Sequence, residues 1–369
     1  MITSIRLCNF KCFADEYLPL TPLTVLSGIN GMGKSSVIQS LLLLRQSYVS
    51  GNQKLSGALL NGPLIELGKA EDVLYENAQS EAAISFNIHL DNDHAVEWSF
   101  AYEKDCEMLP MIFSTELNNN LSKQALFGPH FAYLKAERIG PRTSFCVADH
   151  EMAKYNPLGN AGEYCAHILA RKERDPIQIS GLLHRPSESL NELRAQTEAW
   201  LSEIGQNPRI HLQEYPKMDL VNLEFSFIRD GLPSMNYRPT NVGFGLSYSL
   251  PIFVATLAAV PGSLILIENP EAHLHPRGQV AIGKFLSLAA ANGIQIIIET
   301  HSDHVLNGIR IAVKNKDIKP DDVTLHFFDR SKDAPCCEVT TPKIDKDGRL
   351  DQWPEGFFDE WEKGLAELL

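Results

Sequence analysis

Residues 28–35 read GINGMGKS, and they decide the fold of the chain. The octet follows the apolar run PLTVL (22–26) and leads into SVIQSLLLLRQ (36–46), which is apolar enough for a buried helix. Glycine permits backbone angles that other residues resist and brings backbone amides close to a ligand. The spacing G-x4-G-K-[ST] between a strand and a helix therefore predicts a phosphate-binding P-loop, rather than an ordinary glycine-rich turn.

The P-loop predicts a nucleotide as the ligand and Mg²⁺ as its companion ion. Lys34 would reach the terminal phosphates, the Ser35 hydroxyl would ligate Mg²⁺, and the helix N-terminus would add partial positive charge. The residues expected to contact the nucleotide are Asn30, Gly31, Gly33, Lys34, Ser35 and Ser36.

A second motif, LILIENPEAHLHP (264–276), combines a buried apolar strand with an acid at its end. This is the Walker B arrangement, in which Glu268 would hold the magnesium ion. The alternative is a strand that merely ends in an acid at the surface. Glu271, His273 and His275 also suggest a metal site, but their spacing is not that of a zinc protease.

A third buried strand, IQIIIE (294–299), runs into Thr300 and His301. Ser302 is placed to cap the helix that follows. A histidine directly after an interior parallel strand points to the same sheet edge as the P-loop. Alone, His301 would be read as structural; together with the other two motifs it is a candidate catalytic residue.

Composition restricts the partners of the chain. Its 369 residues include 46 acidic and 33 basic side chains, a net charge of −13, so a nucleic acid would have to meet a local basic patch. The seven cysteines show no zinc-type pairing and no secretory signal precedes them, which predicts reduced thiols in the cytoplasm. The adjacent pair Cys336 and Cys337 is interpreted as structural.

One uncharged stretch, 241–267, is long enough to cross a bilayer. Pro251 and the pair Pro261–Gly262 interrupt it, so we interpret it as helix, turn and strand and expect no membrane partner.

The remaining patterns predict an α/β protein with a parallel or mixed sheet covered by helices. Residues 82–102 resemble a β-hairpin with its turn at 91–93, within a strand-rich lobe. The aromatic tail around Phe357 and Trp361 is expected to be docked. We divide the chain into an N-terminal ATPase part (1–142), a mainly helical insertion (143–235), a C-terminal ATPase part (236–330) and a small tail domain (331–369).

These motifs carry a resemblance to known ATPases. IRLCNFKCF (5–13), GINGMGKS, LILIENPEAHLHP and ETHSDH (299–304) resemble the ABC-type ATPase heads of the RecF, SMC and overcoming-lysogenization-defect (OLD) families. The tail DGRLDQWPEGFFDE (347–360) is similar to that of bacterial OLD-like ATPases that end in a small domain of uncharacterised function.

The resemblance implies that ATP is sandwiched between two subunits, with a signature loop of one facing the P-loop of the other. NVGFGLSYSLPIF (241–253) matches that loop by position, and Gly243, Gly245 and Ser247 become candidate phosphate contacts; the alternative is a simple loop before a core helix. The stretch departs from the usual Leu-Ser-Gly-Gly-Gln. YLKAERIGPR (133–142) also resembles OLD-like proteins, and its arginines, Arg138 and Arg142, are either phosphate or subunit contacts or simply solvated.

A further departure concerns catalysis. The family pattern has Asp-Glu at the end of the Walker B strand, whereas this chain has Glu268-Asn269. Asn269 cannot accept a proton from the attacking water, and Glu271 is the nearest substitute. We therefore expect slow hydrolysis.

The first functional hypothesis is an ATPase that dimerises through its heads and regulates a separate effector, a nuclease, in a bacterial antiphage or DNA-linked system. Only about 70 residues follow His301, too few for the nuclease module of full OLD proteins, so the chain is expected not to cut nucleic acid itself. The alternatives are a slow or non-hydrolysing ATP-gated clamp and a RecF-like repair ATPase. In each case we also expect contact with DNA and self-association into a homodimer or higher oligomer.

Overall fold

The computed structural model describes most of the chain. The described residues are 1–79, 82–91, 94–115, 121–148, 150–185, 190–205, 207–229, 231–329, 337–358, 365 and 368. Part of the predicted hairpin turn (92–93), Cys336 and Trp361 lie outside them.

Strands and helices follow one another along the whole described chain. The strands are β1 (Ile2–Phe10), β2 (Phe13–Pro19), β3 (Leu23–Gly28), β4 (Gly57–Leu59), β5 (Ile84–Leu90), β6 (Ala95–Phe100), β7 (Met108–Ser114), β8 (Phe131–Leu134), β9 (Phe145–Cys146), β10 (Pro208–Tyr215), β11 (Leu220–Arg229), β12 (Leu232–Pro233), β13 (Leu264–Glu268), β14 (Gln295–Glu299), β15 (Val323–Asp329) and β16 (Glu338–Thr340). The helices are α1 (Lys34–Ser50), α2 (Ala70–Val73), α3 (His150–Tyr155), α4 (Cys165–Lys172), α5 (Leu193–Ser202), α6 (Phe244–Leu257), α7 (Pro276–Ala291) and α8 (Asp303–Lys314).

The chain divides into two compact units. The first contains Met1–Pro129, Asp321–Lys343 and Leu350–Leu369, and the second contains His130–Pro320 and Ile344–Arg349. The P-loop belongs to the first unit, and the Walker B-like and signature-like segments belong to the second. The predicted division of the sequence into four segments stays a prediction.

The first unit contains the predicted strand-rich lobe, an antiparallel sheet in the order β2-β1-β5-β6-β7-β4. Apolar side chains alternate along its strands, as in β5, where Ile84, Phe86 and Ile88 are buried. One face of each strand therefore packs into the core. The hairpin expected at 82–102 is β5 paired with β6, with Ile84 opposite Phe100.

The P-loop of the first unit lies between β3 and α1. β3 pairs in parallel with β15, and β15 pairs antiparallel with β16, so this part of the fold is a mixed sheet. Helix α1 is buried around most of its circumference, as its apolar sequence predicted. The tail docks in this unit: Phe357 is buried, and its ring packs edge-on against Phe327 with centroids 5.2 Å apart.

The second unit contains three parallel strands in the order β14-β13-β8. β13 and β14 are apolar along their length, and α7 connects them, which confirms the predicted strand–helix–strand unit. Helices α7 and α8 meet at two glycines. A Cβ on Gly283 would lie 2.3 Å from the Val305 carbonyl oxygen, and a Cβ on Gly308 would lie 2.4 Å from that of Val280. Only glycine allows the helices to pack this closely.

The segment 143–235 contains more strand than the sequence analysis predicted. Helices α3, α4 and α5 are present, but β10 and β11 form a long antiparallel pair, with β9 and β12 also paired to β11. β11 has a strand pattern, because Val221, Leu223 and Phe225 are buried on one face. The insertion is therefore mixed rather than mainly helical.

The uncharged stretch 241–267 consists of helix α6, a turn and strand β13, as predicted. Within the described ranges, no helix combines the length and apolar character needed to cross a bilayer.

Candidate functional site

The P-loop depends on backbone angles that favour glycine. Gly28, Gly31 and Gly33 have φ values of 135°, 79° and 100°, in the region that other residues rarely adopt. A Cβ on Gly33 would lie 2.5 Å from the Cys12 sulfur, whereas one on Gly31 would meet nothing within 4 Å. Gly33 is therefore required by both angle and space, and Gly31 by angle alone.

Lys34 is the first residue of α1 and points its ammonium group back into the loop. The side chain is 3% exposed, and Nζ donates hydrogen bonds to the carbonyl oxygens of Gly28 (2.9 Å) and Ile29 (2.8 Å). Asn30 and Gly31 are exposed, Ser35 is half-buried and Ser36 is buried. The loop thus brings a cation to the N-terminus of a long helix, where the helix dipole also attracts anions.

Glu268 ends β13 in the second unit, with its carboxylate held by two donors. Oε1 accepts a hydrogen bond from the Tyr133 hydroxyl (2.9 Å), and Oε2 accepts one from the backbone N–H of Ala136 (3.0 Å). Burial, together with the Glu268 charge, raises the pKa of Tyr133, so its hydroxyl stays protonated and donates. Two neutral donors fix the orientation of the carboxylate.

Arg138 holds the turn that follows Glu268. The guanidinium donates to the carbonyl oxygens of Glu268 (2.6 Å), Asn269 (2.5 Å) and Tyr248 (3.1 Å). Arg138 is 2% exposed, and burial lowers its pKa to about 10. The sequence analysis considered Arg138 as a phosphate or subunit contact. That interpretation and its alternative, a solvated arginine, are both wrong for Arg138, because it is buried and donates to backbone carbonyls. Arg142, in contrast, is exposed.

Asn269 occupies the position where the family pattern has its catalytic acid. Its backbone has φ 44°, and its N–H donates to the carbonyl oxygen of Glu299 (2.8 Å). Asparagine is among the few residues that tolerate this conformation, so it suits the sharp turn after the strand.

Glu271 connects this turn to the one that follows β14. Oε2 accepts a hydrogen bond from the Thr300 hydroxyl (2.8 Å), and Oε1 accepts one from the backbone N–H of His301 (2.9 Å). The His301 side chain is exposed. Ser302 caps α8 by accepting from the Val305 N–H (3.1 Å), as predicted. The structure therefore brings Glu271 and His301 into contact.

The signature-like loop leads into α6, which begins at Phe244 with Gly243 as its N-cap. Ser247 therefore lies inside the first turn instead of opening the helix, which corrects the sequence analysis. Ser247 is 5% exposed, and within the part of the chain that the structure describes its hydroxyl has no hydrogen-bond partner. A Cβ on Gly245 would lie 2.9 Å from the His273 carbonyl oxygen, so this glycine lets the Walker B loop approach α6.

His273 and His275 serve local structure. The His273 ring contacts Tyr248 (centroids 4.4 Å apart) and Phe244 (5.4 Å), while His275 Nδ1 accepts from the Arg277 N–H and caps α7. Across the described residues, no three His, Cys, Asp or Glu side chains are arranged to hold a metal ion by themselves. The two histidines also line a pocket of about 510 Å³, with walls that include Phe227, Arg229, Tyr237 and Gly243.

Comparisons with known proteins agree with these motifs. Residues 1–139 match the family "AAA ATPase domain", residues 148–307 match "AAA domain, putative AbiEii toxin, Type IV TA system", and residues 318–368 match "Protein of unknown function (DUF3696)". An OLD nuclease from Thermus scotoductus is 22% identical over 95% of this chain and 68% of its own length.

Among solved structures, an SMC head bound to the C-terminal winged-helix domain of ScpA aligns with a TM-score of 0.54 at 12% identity, over 94% of this chain and 99% of its own. An SMC head with an extended coiled coil, bound to the C-terminal domain of ScpA derived from Pyrococcus furiosus, aligns with a TM-score of 0.50 at 11% identity, over 100% and 99%. The chain is thus similar to OLD-like and SMC-type ABC ATPases. The predicted fold class is confirmed.

The structural roles of several site residues escaped the sequence analysis. Tyr133 and Arg138 lie about 130 residues before the acid whose strand end they hold, and Thr300 was read only as part of a strand terminus. The sequence signal for these roles was the segment 133–142, in which we considered the two arginines as contact residues but did not consider Tyr133.

Proposed function

We propose that this chain binds ATP at the P-loop and hydrolyses it slowly. The observation that carries the proposal is the loop before α1, where three glycines adopt positive φ angles and the buried Lys34 ammonium binds two loop carbonyl oxygens. Backbone amides, a helix N-terminus and a cation form an environment suited to polyphosphate.

The oxygen donors of the chain fit Mg²⁺, which prefers carboxylate, hydroxyl, water and phosphate ligands. Ser35 and Glu268 are each proposed as a ligand of the ion. Bound Mg²⁺ would neutralise charge that develops on the phosphates. The Tyr133 hydroxyl and the Ala136 amide support the proposed role of Glu268, because they orient its carboxylate.

A second candidate function is an ATP-gated clamp that scarcely hydrolyses. Asn269 supplies no carboxylate at the position where the family has one. Both oxygens of Glu271 already accept hydrogen bonds from Thr300 and His301. Glu271 therefore serves as a connection between two turns as much as a general base, which favours slow turnover.

Nucleotide binding and turnover are tested with Lys34→Ala and a matched control, Lys54→Ala, whose side chain is exposed. We expect Lys34→Ala to lose ATP affinity in calorimetric titration, because the fixed cation of the loop is removed, and Lys54→Ala to bind normally. Phosphate release with and without Mg²⁺ and DNA then separates an ATPase from a clamp. Wild-type affinity in Lys34→Ala would refute the P-loop assignment.

We further propose that the heads associate when ATP binds, with the Gly243–Ser247 loop of one copy facing the P-loop of another. The similarity to SMC heads supports this arrangement at the level of fold. Sedimentation of Glu271→Gln with and without ATP provides the test. An unchanged mass after nucleotide addition would contradict the ATP-dependent dimer, provided that a constitutive dimer is excluded by dilution.

The output of nucleotide binding is proposed to be control of a separate nuclease effector in a bacterial antiphage or DNA-linked system. The relative from Thermus scotoductus is an OLD nuclease, and this chain matches 68% of its length, which supports a link to nuclease systems. Purified chain incubated with duplex and single-stranded DNA, Mg²⁺ or Mn²⁺, and ATP is expected to leave both substrates intact. Cleavage that disappears when Asp321 or Asp345 is replaced would place the nuclease within this chain instead.

A further inference from the structure

Two cysteine thiols touch consecutive residues of the P-loop. Cys12 lies between β1 and β2, and its sulfur would be 2.5 Å from a Cβ on Gly33. Cys337 immediately precedes β16 and is buried; its thiol donates a hydrogen bond to the carbonyl oxygen of Met32 (2.7 Å). Both cysteines belong to the first unit, although they are more than 300 positions apart in sequence.

The two thiols also influence each other. An interaction with Cys337 is the largest effect that lowers the pKa of the Cys12 thiol; the backbone amide of Cys12, Ser36 and the Lys11 ammonium act in the same direction, against burial. Nucleophilic reactivity of a cysteine depends on its thiolate fraction, so these effects favour reaction at Cys12. Cys8, on β1, differs: burial and a hydrogen bond with Asp15 raise the pKa of Cys8 to about 11.

We propose that Cys12 and Cys337 form a thiol modification site, in which a peroxide oxidises the pair to a disulfide that weakens nucleotide binding at the P-loop. The effect on nucleotide rests on the ATP-binding function proposed above. The site itself rests on the placement of the two thiols against consecutive P-loop residues, Cys337 at Met32 and Cys12 at Gly33.

The reaction balances with hydrogen peroxide as the oxidant. The Cys12 thiolate attacks one peroxide oxygen, the O–O bond breaks, and hydroxide leaves and takes up a proton to become water, which gives a sulfenic acid. The Cys337 sulfur then attacks the Cys12 sulfur; the S–S bond forms, and the second water leaves with the Cys337 proton. Two thiols and one peroxide thus become one disulfide and two waters, and a dithiol reductant reverses the change.

Oxidation would change the P-loop directly. The Cys337 proton that now binds the Met32 carbonyl is lost, and the Cys12 sulfur leaves its position against Gly33 as it bonds to Cys337. The amides on either side of Gly33 would then be displaced from a geometry suited to phosphate. By linkage, bound ATP would oppose disulfide formation to the same degree in free energy.

The test uses the full chain, treated with hydrogen peroxide and then quenched, with and without ATP. Peptide mass mapping is expected to show a Cys12–Cys337 crosslink with the loss of two hydrogen atoms, and less of it when ATP is present. ATP affinity is expected to fall by at least about tenfold, within the usual range of coupling between sites, and to recover with dithiothreitol. Cys12→Ser and Cys337→Ser should each remove the response to peroxide.

Two control variants make the test specific. Cys8→Ser removes a neighbouring thiol on β1, and Cys336→Ser removes the thiol adjacent to Cys337 in sequence. Both are expected to keep the full response to peroxide. A crosslink at Cys336, no crosslink at all, or a Cys12–Cys337 crosslink with unchanged ATP affinity would each overturn the proposal. If the reduced protein fails to bind ATP, the proposed ATP-binding function is refuted. Peptide mass mapping then still shows whether Cys12 and Cys337 form a disulfide.

Discussion

Replacement of Arg138 by methionine should separate the chemistry of the Walker B-like turn from nucleotide binding. Methionine retains an unbranched apolar side chain in a position that is 2% exposed. It removes the three donors that now bind the carbonyl oxygens of Glu268, Asn269 and Tyr248. The turn that orients Glu268 would lose the hydrogen bonds that hold it to Arg138.

The magnitude follows from two opposing terms. The two short hydrogen bonds to Glu268 and Asn269 come from a charged donor, and each contributes about 1.5 to 3 kcal/mol. Burial lowers the pKa of Arg138 to about 10, a drop that corresponds to an offset of about 3 kcal/mol. The difference predicts that Arg138→Met destabilises the protein by about 2 kcal/mol.

The same change should act on turnover through Glu268. We expect Mg²⁺-dependent kcat to fall by at least about tenfold, a loss of about 1.4 kcal/mol in transition-state stabilisation. ATP affinity should stay within about twofold, a difference below 0.5 kcal/mol, because every group that Arg138 contacts belongs to the second unit. Urea unfolding, ATP titration and phosphate release measure the three quantities.

Two further variants make this result interpretable. Arg142→Met removes an exposed arginine from the same segment and should change neither stability nor kcat. Arg138→Lys should recover part of the kcat, since an ammonium can still donate to two of the carbonyls. Unchanged stability and kcat in Arg138→Met would refute the positioning role, and equal losses of affinity and kcat would indicate general unfolding instead.

Three other perturbations follow from the same structure. Gly33→Ala should destabilise the protein and weaken ATP binding more than Gly31→Ala, because only at Gly33 does a Cβ overlap a neighbouring atom; equal thermal unfolding of the two would contradict this. Glu268→Gln should bind ATP but lose Mg²⁺-dependent phosphate release, and normal release would show that Glu268 is not the metal acid. Burial lowers the pKa of His326 to about 4, so the unfolded chain takes up a proton below about pH 6.5 that the folded protein refuses until about pH 4. The stabilisation by neutral His326 is therefore complete above pH 6.5 and declines by about 3 kcal/mol toward pH 4. The difference in unfolding free energy between the wild-type protein and His326→Gln should shrink over that interval. A difference that stays constant with pH would refute this prediction.

The sequence predicted those parts of the fold that have a local pattern. The glycine loop, the apolar strands 264–268 and 295–299 and the helix between them are each recognisable within a few residues of chain. The order and spacing of these elements then restricted the fold to a P-loop ATPase, because a phosphate-binding loop must join a strand to a helix.

Contacts between distant segments were not predictable in the same way. Arg138 carries no local sign of which carbonyls it will bind, and a charged residue is ordinarily expected at the surface. Ser247 was expected to open a helix, but α6 begins three residues earlier, at Phe244, and Ser247 is buried within the helix. β11 is different, because its alternating apolar pattern is present in the sequence. The helical patterns on either side of it led to the prediction of a mainly helical segment.

The glycine contact between α7 and α8 determines how the two turns of the second unit can move. Each helix starts at one of these turns, α7 just after His275 and α8 just after Ser302. Since the backbones touch at Gly283 and Gly308, the helices can slide or rotate against each other but cannot approach further. A movement of the loop before α7 is thus transmitted to the loop before α8 through the two packed helices. A single added methyl at Gly283, about two helical turns from the start of α7, would force the pair apart and stretch the hydrogen bonds of Glu271 without touching them.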